Sequence, residues 1–559
     1  MTYQTTHTPA PAEQGATDQA ESAPDFLAEA ENLLRQNHAE YSRLCQTAED
    51  HVDAGDLNSG AVFALLAAWH AAHAHSGLFA SARLEKLLHR IGLAIGEDLG
   101  RFDRSRLTAP ENVERVLHVV TNAQNLGGLT NMVRRWIGAD PGRAHSIAIT
   151  HQSGNVNHEI RTLVEATGGK VYYVNREMGG LTGSALALRR IARAFDLIVG
   201  WSANSDVIPS IAFDRPENYP PILFVNHSDH MFWLGSSISQ VVGSMRQAAL
   251  DIATGRRGIA EDRSVLLPIL AIPPSRSRSR AEAKAALGRA PDEVLMISVA
   301  RPQKFRTLDG VSYADTHVPL LQANPKATLA VVGAGERPDW SEAIEAAGGR
   351  IEPLMPQDPK LWFEAADIYI DSFPFCSATS MMEAASYGLP CVSRFLWPDA
   401  ARIAGMDHPG LASELLEGRS IPEYLGLLQQ LIDTPSLREE KGAAIQASVA
   451  DANATPGWNR FMEASIARAL ELPPVDPATV YGELIDDAPV FGEPDVRLQA
   501  LYGFSTPYVE LLRGHMTLLP FRSRLQSWVE VRRAGAFESM GSAVRNLFPE
   551  WAIRKLKDR

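Results

Sequence analysis

The sequence predicts an α/β protein in which two Rossmann-like, doubly wound domains face a cleft, with a helical region before them and a helical tail after them. Short apolar runs alternate with helical patterns, as in βαβ units with a parallel sheet. The alternation stops at a Pro-, Ser- and Arg-rich linker, 272–280, and then starts again. At 559 residues the chain is also too long for one compact core.

The N-terminal part differs in composition from the rest of the chain. Residues 1–23 are rich in Thr, Ala, Pro and Gln, so we expect a disordered lead. Residues 24–105 show helical spacing, with Phe26, Ala30 and Leu33 on one stripe and an Ala-rich run at 61–75. This pattern predicts a small helical domain.

The two α/β domains are expected at 112–272 and 281–472, followed by a helical, basic tail at 473–559. Their strand runs are apolar throughout rather than alternating, which is typical of parallel strands covered on both faces. The runs are RVLHVV, HSIAI, KVYYV, DLIVGW and PILFV in the first domain, and VLMISV, TLAVV and ADIYI in the second.

The composition of the chain excludes several classes of protein. A net charge of −13 argues against a nucleic-acid binder. Three scattered cysteines, Cys45, Cys376 and Cys391, cannot form a disulfide framework or a zinc cluster, and they favour a cytoplasmic setting. No apolar run reaches the roughly 18–20 residues that span a bilayer, and no Lys or Arg precedes Arg35, which argues against a signal or transit peptide.

A cluster of hydroxyl residues follows the run ADIYI and opens a helical pattern. Ser377, Thr379 and Ser380 would flank the free N–H groups of a helix N-terminus, which is a natural anion site. Glu383, one turn later, can accept paired hydrogen bonds from a ribose diol. The alternative is a capping box formed by Ser380 and Glu383 without any ligand.

The stretch ADIYIDSFPFCSATSMMEAASYGLPCV resembles the donor-site signature of nucleotide-sugar glycosyltransferases with the GT-B fold. In the retaining branch, the glycosyltransferase family 4 type, two Glu residues stand eight positions apart ahead of Gly-x-Pro. Glu383 matches the second, which implies ribose binding, whereas Phe375 stands where the first is expected. The stretch also resembles the inverting O-GlcNAc transferase type, which implies diphosphate binding by the hydroxyl residues. Retention or inversion stays open.

The resemblance also implies roles for basic and glycine residues at other strand ends. Arg301 and Lys304 follow VLMISV, where fixed cations neutralise a leaving diphosphate; the alternative is two solvated surface charges. Glycines that let the backbone approach a ligand follow two other runs, although each pair could serve only a tight turn. These glycines are Gly127, Gly128, Gly333 and Gly335.

His227, Asp229 and His230 cluster where the run PILFV ends. Either histidine could be a general base that activates an acceptor hydroxyl, with Asp229 orienting it or acting as the base itself. In the retaining branch a His at a similar place contacts the donor sugar. A metal site lacks an evident third ligand, and a helix-capping role is the structural alternative. We expect neither a metal nor a cofactor.

The tail combines basic and apolar residues. Residues 503–559 hold ten Lys or Arg against five Asp or Glu. The apolar residues recur at helical spacing, as in a helix that lies on an anionic membrane surface, unless the stripe packs on the globular body. The apolar positions are Phe521, Leu525, Trp528 and Val529, continued by Trp551, Ile553 and Leu556; Arg522, Arg524 and Arg533 lie largely off the stripe.

We therefore expect a glycosyltransferase that moves a hexosyl or N-acetylhexosaminyl group from a UDP- or GDP-linked donor to a glycan, lipid-linked or protein acceptor. The expected context is cell-surface polysaccharide or glycoconjugate synthesis, in the cytoplasm or at the inner face of the membrane. Two alternatives stay open. One is a nucleotide-sugar hydrolase or epimerase of the same fold, and the other is a non-catalytic interaction protein.

Overall fold

A computed structural model describes residues 26–96, 99–124, 128–308, 310–483, 489–503 and 506–557. The predicted disordered lead, 1–23, lies outside these residues, as does Gly127. The strands are β1 (Arg115–Val120), β2 (Ala144–Ile149), β3 (Val171–Tyr173), β4 (Leu197–Trp201), β5 (Ile222–Asn226), β6 (Val241–Ser244), β7 (Ser264–Leu266), β8 (Val294–Val299), β9 (Ala327–Val332), β10 (Ile351–Leu354), β11 (Ile368–Ile370), β12 (Cys391–Arg394) and β13 (Leu416–Gly418).

The helices divide into three groups along the chain. Those before and within the first sheet's segment are α1 (Phe26–Asp53), α2 (Leu57–His73), α3 (Ala82–Ala94), α4 (Gly128–Ala139), α5 (His158–Ala166), α6 (Gly180–Ala192), α7 (Val207–Ala212) and α8 (Gln247–Arg257). Those of the second segment are α9 (Arg280–Ala286), α10 (Tyr313–Ala323), α11 (Ser341–Ala346), α12 (Lys360–Ala365), α13 (Ala378–Ser386), α14 (Ile421–Asp433), α15 (Pro435–Asn453) and α16 (Gly457–Glu471). The tail contains α17 (Pro477–Glu483), α18 (Glu493–Tyr502), α19 (Tyr508–His515), α20 (Phe521–Arg533), α21 (Met540–Arg545) and α22 (Glu550–Lys557).

The strands form two parallel sheets. The first has seven strands in the order β3-β2-β1-β4-β5-β6-β7, and the second has six in the order β10-β9-β8-β11-β12-β13. Both orders reverse direction once, between β1 and β4 and between β8 and β11, as doubly wound sheets do. β4, β5 and β9 are buried along their whole length, as their mainly apolar runs predict. The predicted fold class is confirmed.

The N-terminal helices share a core with the first sheet. Leu66 of α2 and Leu87 of α3 belong to the same buried cluster as Leu117 of β1. Glu85 of α3 is fully buried, and its carboxylate accepts hydrogen bonds from the backbone N–H groups of Gly235 and Ser236. The region predicted as a domain of its own is thus a layer on the first α/β domain.

Helix α16 returns from the second segment and packs on the first sheet. Trp458 lies edge-on to Trp136 of α4, with ring centroids 5.2 Å apart. Its indole N–H donates to the carbonyl of Pro268 at 2.7 Å. Glu463 forms an ion pair with Arg143 at 2.8 Å. The chain therefore crosses between the two domains twice, and α16 ties them together.

The tail wraps over the N-terminal helices and ends at the first sheet. Asp495 of α18 is buried and accepts hydrogen bonds from His75 at 3.0 Å and from Arg256 at 2.8 Å. Arg554 of α22 is buried and donates to the carbonyl of Gln152, just past β2. Among the described helices, none combines the length and the apolar content needed to cross a bilayer.

Part of the tail differs from the predicted membrane-facing pattern. Arg524 points inward and donates to the carbonyl of Leu519 at 2.9 Å, so it does not belong to the outer basic face. Trp528 is half-buried, and its indole N–H donates to the carbonyl of Ala543 at 2.7 Å. Trp551 is half-buried beside the first sheet. In each case a backbone carbonyl or a neighbouring strand end provides a partner that periodicity alone does not reveal.

Candidate active site

The candidate site lies where the second sheet changes direction. β8 and β11 are neighbours there, and ligands of open α/β sheets bind at the carboxyl ends of such strands. Arg301 and Lys304 follow β8, and the segment from Asp371 to Ser377 follows β11. We call residues 371–380 the donor loop. The predicted donor-binding side chains therefore come from two adjacent strand ends.

Asp371 holds the donor loop in place through hydrogen bonds. Its Oδ1 accepts the backbone N–H groups of Ser372 and Ser377, each at 2.9 Å, and its Oδ2 accepts the hydroxyl of Ser393 at 3.4 Å. Burial raises the pKa of Asp371 to about 6, although the Ser377 N–H and Lys304 favour the charged form. The loop is thus held by a carboxyl group that sequence analysis did not single out.

Helix α13 begins at the donor loop without a side-chain cap. Ser377 is the N-cap residue, but its hydroxyl is paired with that of Ser372 at 2.8 Å instead of with the helix backbone. The alternative capping box of Ser380 and Glu383 is not formed, because both residues lie inside the helix. Thr379 is exposed and Ser380 is half-buried. The N-terminal N–H groups of α13 therefore keep their capacity to bind an anion.

Lys304 connects the two strand ends. Its ammonium group donates to the carbonyl of Cys376 at 2.7 Å. Burial lowers the pKa of Lys304, and the nearby carboxyl of Asp371 acts in the opposite direction. Arg301 is exposed beside it, at the start of the short turn after β8. A half-buried cation next to an uncapped helix N-terminus is the arrangement that a diphosphate group requires.

The glycines after β9 let two strand ends approach each other. Gly333 has a φ of +88°, and a Cβ atom there would lie 2.5 Å from the carbonyl oxygen of Ala300. Gly335 has a φ of +71° and lies against Pro302. Only glycine fits the first position, so the turn that carries Lys304 can lie close to β9. Gly128 begins α4 in the first domain and has open space around it.

Glu383 faces the first domain. It lies on α13, where desolvation by the surrounding protein raises its pKa while Arg135 of α4 acts to lower it. Arg135 is anchored by a 3.0 Å hydrogen bond to the carbonyl of Leu270. Since α4 follows β1, the direction-change points of both sheets open onto this side. Glu383 is therefore positioned at the cleft, where a ribose could reach it.

The histidines after β5 have different environments. The Nε2 of His227 must donate to the carbonyl of Ser202 at 3.1 Å, and its Nδ1 can then accept the hydroxyl of Ser228 at 3.0 Å. Burial lowers the pKa of His227. Both ring nitrogens thus have partners within the fold, which favours a structural role for this residue.

Asp229 and His230 form a second pair. The Nδ1 of His230 donates to Oδ1 of Asp229 at 3.2 Å, while Arg246 donates to Oδ2 at 2.5 Å. Burial alone would raise the pKa of Asp229, but Arg246 and His230 hold it below its ordinary value. A carboxylate that stays ionised and is engaged at both oxygens is a poor base. It can nevertheless orient the ring of His230.

Arg246 joins this pair to the second domain. Its guanidinium donates to the carbonyls of Gly405, at 2.7 Å, and of Ile403. Arg246 also lies within electrostatic reach of Cys376 in the donor loop, whose Sγ contacts the carbonyl of Ala404 at 3.4 Å. We call Asp229, Arg246 and the segment 403–407 the interdomain contact. It brings His230 and the donor loop to the same part of the cleft.

Three residues of this arrangement were missed by sequence analysis: Asp371, Arg246 and Arg135. Asp371 gave a usable signal, because it is an acidic residue directly after a buried strand. Arg246 gave none, since its carbonyl partners lie about 160 residues later in the chain. Within the described residues, no group of three His, Cys, Asp or Glu side chains could hold a metal ion.

Comparison with known proteins gives one sequence relative. No protein-family model matches the chain. The D-inositol 3-phosphate glycosyltransferase of Thermobifida fusca is 29% identical over 185 residues, which is 30% of this chain and 41% of that protein. The chain thus spans less than half the length of this relative.

Solved structures of similar fold include two proteins from other bacteria. The Anabaena HepE protein, solved with UDP and glucose, has a TM-score of 0.47 and 14% identity over 63% of this chain and 99% of that one. A mutant O-GlcNAc transferase of Thermobaculum terrenum has a TM-score of 0.47 and 16% identity over 80% of this chain and 88% of that one. The resemblance to glycosyltransferases that the donor-loop motif indicates is confirmed by the curated relative.

Proposed function

We propose that this protein is a glycosyltransferase that moves a sugar from a nucleotide-sugar donor to a glycan, lipid-linked or protein acceptor in glycoconjugate synthesis. The observation that carries the proposal is the meeting of Lys304, the uncapped N-terminus of α13 and the Asp229–His230 pair in one cleft. The curated relative, itself a glycosyltransferase, supports the reaction class.

The donor binds to the second domain. The diphosphate lies at the N-terminus of α13, where the backbone N–H groups, Thr379 and Ser380 donate to it. Lys304 and Arg301 neutralise the charge that the leaving diphosphate gains, and this stabilises the transition state more than the ground state. Glu383 accepts hydrogen bonds from the ribose diol. UDP and GDP are both compatible with these contacts.

His230 is the general base of this proposal. As the acceptor oxygen bonds to the anomeric carbon, its proton passes to the ring of His230, and the bond to the diphosphate breaks with both electrons on the leaving oxygen. Asp229 keeps its charge and stabilises the imidazolium that forms. Phe375, which is buried in the core where the retaining pattern has Glu, is consistent with this inverting course.

The test is nucleotide binding and sugar transfer by Lys304→Ala. Calorimetry with UDP, GDP and ADP identifies the nucleotide, and turnover of the matching nucleotide sugars gives the rate. We expect one nucleoside diphosphate to bind the wild type and turnover of the variant to fall roughly 100-fold or more, with little change in thermal stability.

Lys326→Ala is the matched control, because Lys326 lies in the same domain in an exposed ion pair with Asp292. Equal turnover in Lys304→Ala and the wild type would remove Lys304 from the site. Release of free sugar without an acceptor would instead indicate the hydrolase or epimerase alternative. Absence of nucleotide binding would support the non-catalytic one.

We also propose that the tail attaches the enzyme to the anionic inner face of a membrane. Helix α20 docks through its polar side: Ser523 donates to Asp56 at 3.2 Å. Its apolar side faces outward, with Phe521 66%, Leu525 43% and Val529 37% exposed. An outward apolar stripe flanked by the exposed Arg522, Arg532 and Arg533 fits a surface with apolar chains below anionic headgroups.

A further inference from the structure

A cavity of about 230 Å³ with both polar and apolar walls lies between the first sheet and the tail. One wall follows β2 and β3 and includes His151 and Asn175. The opposite wall comes from the tail and includes Leu518, Glu550 and Trp551. None of these residues takes part in the donor site, which belongs to the other domain.

One wall of the cavity contains a buried polar atom that the fold leaves unsatisfied. Asn175 is buried, its amide N–H donates to the carbonyl of Gln152 at 2.8 Å, and its Oδ1 has no hydrogen-bond partner among the described residues. An unsatisfied buried acceptor costs about 1–3 kcal/mol unless a ligand or water completes it. A ligand that donates a hydrogen bond to Oδ1 of Asn175 would therefore remove this cost.

Glu550 provides a second acceptor. Burial would raise its pKa, but His151 and Arg554 hold it below the ordinary value. Its Oε1 accepts a hydrogen bond from Arg554 and lies 3.7 Å from Nε2 of His151, too far for a strong hydrogen bond and close enough for a shared ligand. Two acceptors of this kind, beside the apolar surface of Leu518 and Trp551, match a ring that carries hydroxyl groups on its rim and C–H groups on its faces.

The position of the cavity relates it to the proposed reaction. β2 and β3 are the neighbours of β1 on one side of the direction-change point, and His230 follows β5 on the other side. With about 4.8 Å between strands, the cavity lies roughly 7–12 Å to the side of that point. A ring held there shares the carboxyl edge of the first sheet with the base, as an acceptor must.

We propose that this cavity binds one sugar unit of the acceptor and that the C-terminal tail is thereby part of the acceptor site. The inference rests on the proposed glycosyltransferase function and deepens it. The size agrees with a single ring, because pockets for larger, drug-sized ligands measure about 300–1,000 Å³. The tail then has two roles, since the same segment also carries the outward apolar face of α20.

The test is binding of methyl glycosides to the full-length protein without nucleotide. Methyl glycosides of glucose, galactose, mannose and N-acetylglucosamine are titrated while saturation-transfer NMR reports binding. We expect at least one to bind with a Kd on the order of 1 mM. Asn175→Leu and Glu550→Gln should each weaken this binding at least tenfold.

Glu530→Gln is the matched control, because Glu530 is exposed on α20 away from the cavity. Circular dichroism and the unchanged Kd of the nucleoside diphosphate show that each variant is folded. Should Glu550→Gln disturb the tail, Asn175→Leu decides alone, since Asn175 belongs to the first domain. Absence of binding by all four glycosides, or equal binding by the wild type and Asn175→Leu, overturns the proposal.

The nucleotide measurements are independent of these results. Sugar binding at the cavity without any nucleotide binding would overturn the proposed transferase function and leave a carbohydrate-binding cavity. Nucleotide binding without sugar binding would leave the transferase and move its acceptor site elsewhere.

Discussion

His230 and His227 are separated by only two residues, yet their hydrogen bonds assign them different roles. His227 uses its Nε2 to bind the carbonyl of Ser202. His230 turns its Nδ1 to Asp229, a carboxylate that Arg246 keeps ionised and that can stabilise a proton on the ring. The sequence places both histidines at a strand end but does not distinguish them, because the carbonyl of Ser202 that engages His227 follows another strand.

We predict that His230→Ala lowers sugar transfer about 10²- to 10⁴-fold, which is the usual contribution of general base catalysis. The nucleotide Kd should stay within about threefold, because the donor groups lie on the second domain. His227→Ala is the comparison: it should lower the thermal midpoint, and it should lower turnover much less than His230→Ala does. Transfer rates are measured at saturating donor and Kd by calorimetry. Loss of nucleotide binding in a folded His230→Ala protein would contradict this placement.

Asp371 gives a pH-dependent prediction. Its pKa of about 6 in the fold exceeds the ordinary value of 3.8, so the folded state binds the proton more tightly than the unfolded state. Its contribution to stability is therefore fully present below about pH 4 and is lost as the pH rises through 6. A shift of two units corresponds to about 3 kcal/mol at most.

Asp371→Asn should remove this dependence while keeping an oxygen acceptor for the N–H groups of Ser372 and Ser377. As the pH rises from 4 to 7, the stability of the variant should increase relative to that of the wild type, as measured by thermal midpoints at several pH values. The exposed Asp292→Asn is the control. Parallel pH profiles for Asp371→Asn and the wild type would show that Asp371 titrates normally.

At the scale of elements, the sequence identifies the strands that are predominantly apolar and misses β6, β7, β10, β12 and β13. The runs of β1 to β5, β8, β9 and β11 are mainly apolar, and each was predicted. β6 contains Gly243 and Ser244, and β13 is the short segment LEG at the edge of its sheet. Their place in the sheets depends on hydrogen bonds to a neighbouring strand, and local sequence does not encode that pairing.

The orientation of helix α20 is also not predictable from local sequence. Its period predicts an apolar stripe, but the period does not say which face meets the protein. The structure places Ser523, Arg524 and Ser527 inside and the apolar stripe outside. Polar partners on the N-terminal helices decide this orientation, among them Asp56 and Ser59.

We predict weak, salt-sensitive binding of the full-length protein to anionic vesicles. Replacement of Phe521, Leu525 and Val529 by Ser should abolish flotation with phosphatidylserine-containing vesicles at low salt, because the headgroup region then gains no apolar contact. Met178, also exposed but on the first domain, provides the control Met178→Ser. Binding to neutral vesicles should be much weaker. Equal flotation of the triple variant and the wild type would contradict a role for α20.

At the scale of the whole molecule, the sequence predicts two domains and a cleft, whereas the way the domains meet comes only from the structure. The linker and the second strand pattern separate the domains, and their ligand edges follow from the strand order. The interdomain contact depends on Arg246, whose partners in the second domain are Asp407 and the carbonyls of Ile403 and Gly405, all far away in the chain. Carbonyls carry no sequence signature, and residue types do not show which Asp pairs with which Arg, so such a contact cannot be predicted from them.

Arg246 therefore gives the last prediction, which concerns the relation of the two domains. Arg246→Met leaves the buried Asp229 without its Arg partner and removes the ion pair with Asp407 and the bonds to Ile403 and Gly405. We expect a loss of roughly 3–5 kcal/mol of stability, as for other broken buried ion pairs, and a larger radius of gyration in X-ray scattering. Nucleotide affinity should persist, while sugar transfer should fall because His230 loses its orientation toward the donor loop.

The double variant Arg246→Met/Asp229→Leu separates charge burial from domain contact. It should regain part of the stability, since Asp229 no longer leaves a buried unpaired charge, but it should keep the larger radius and the low transfer rate because Asp407, Ile403 and Gly405 still lack their Arg246 partner. Arg35→Met, which removes an exposed ion pair on α1, is the control and should change neither quantity. If the double variant recovers the compact radius and full transfer, the bonds of Arg246 to Asp407, Ile403 and Gly405 do not hold the domains, and the contact serves only to neutralise Asp229.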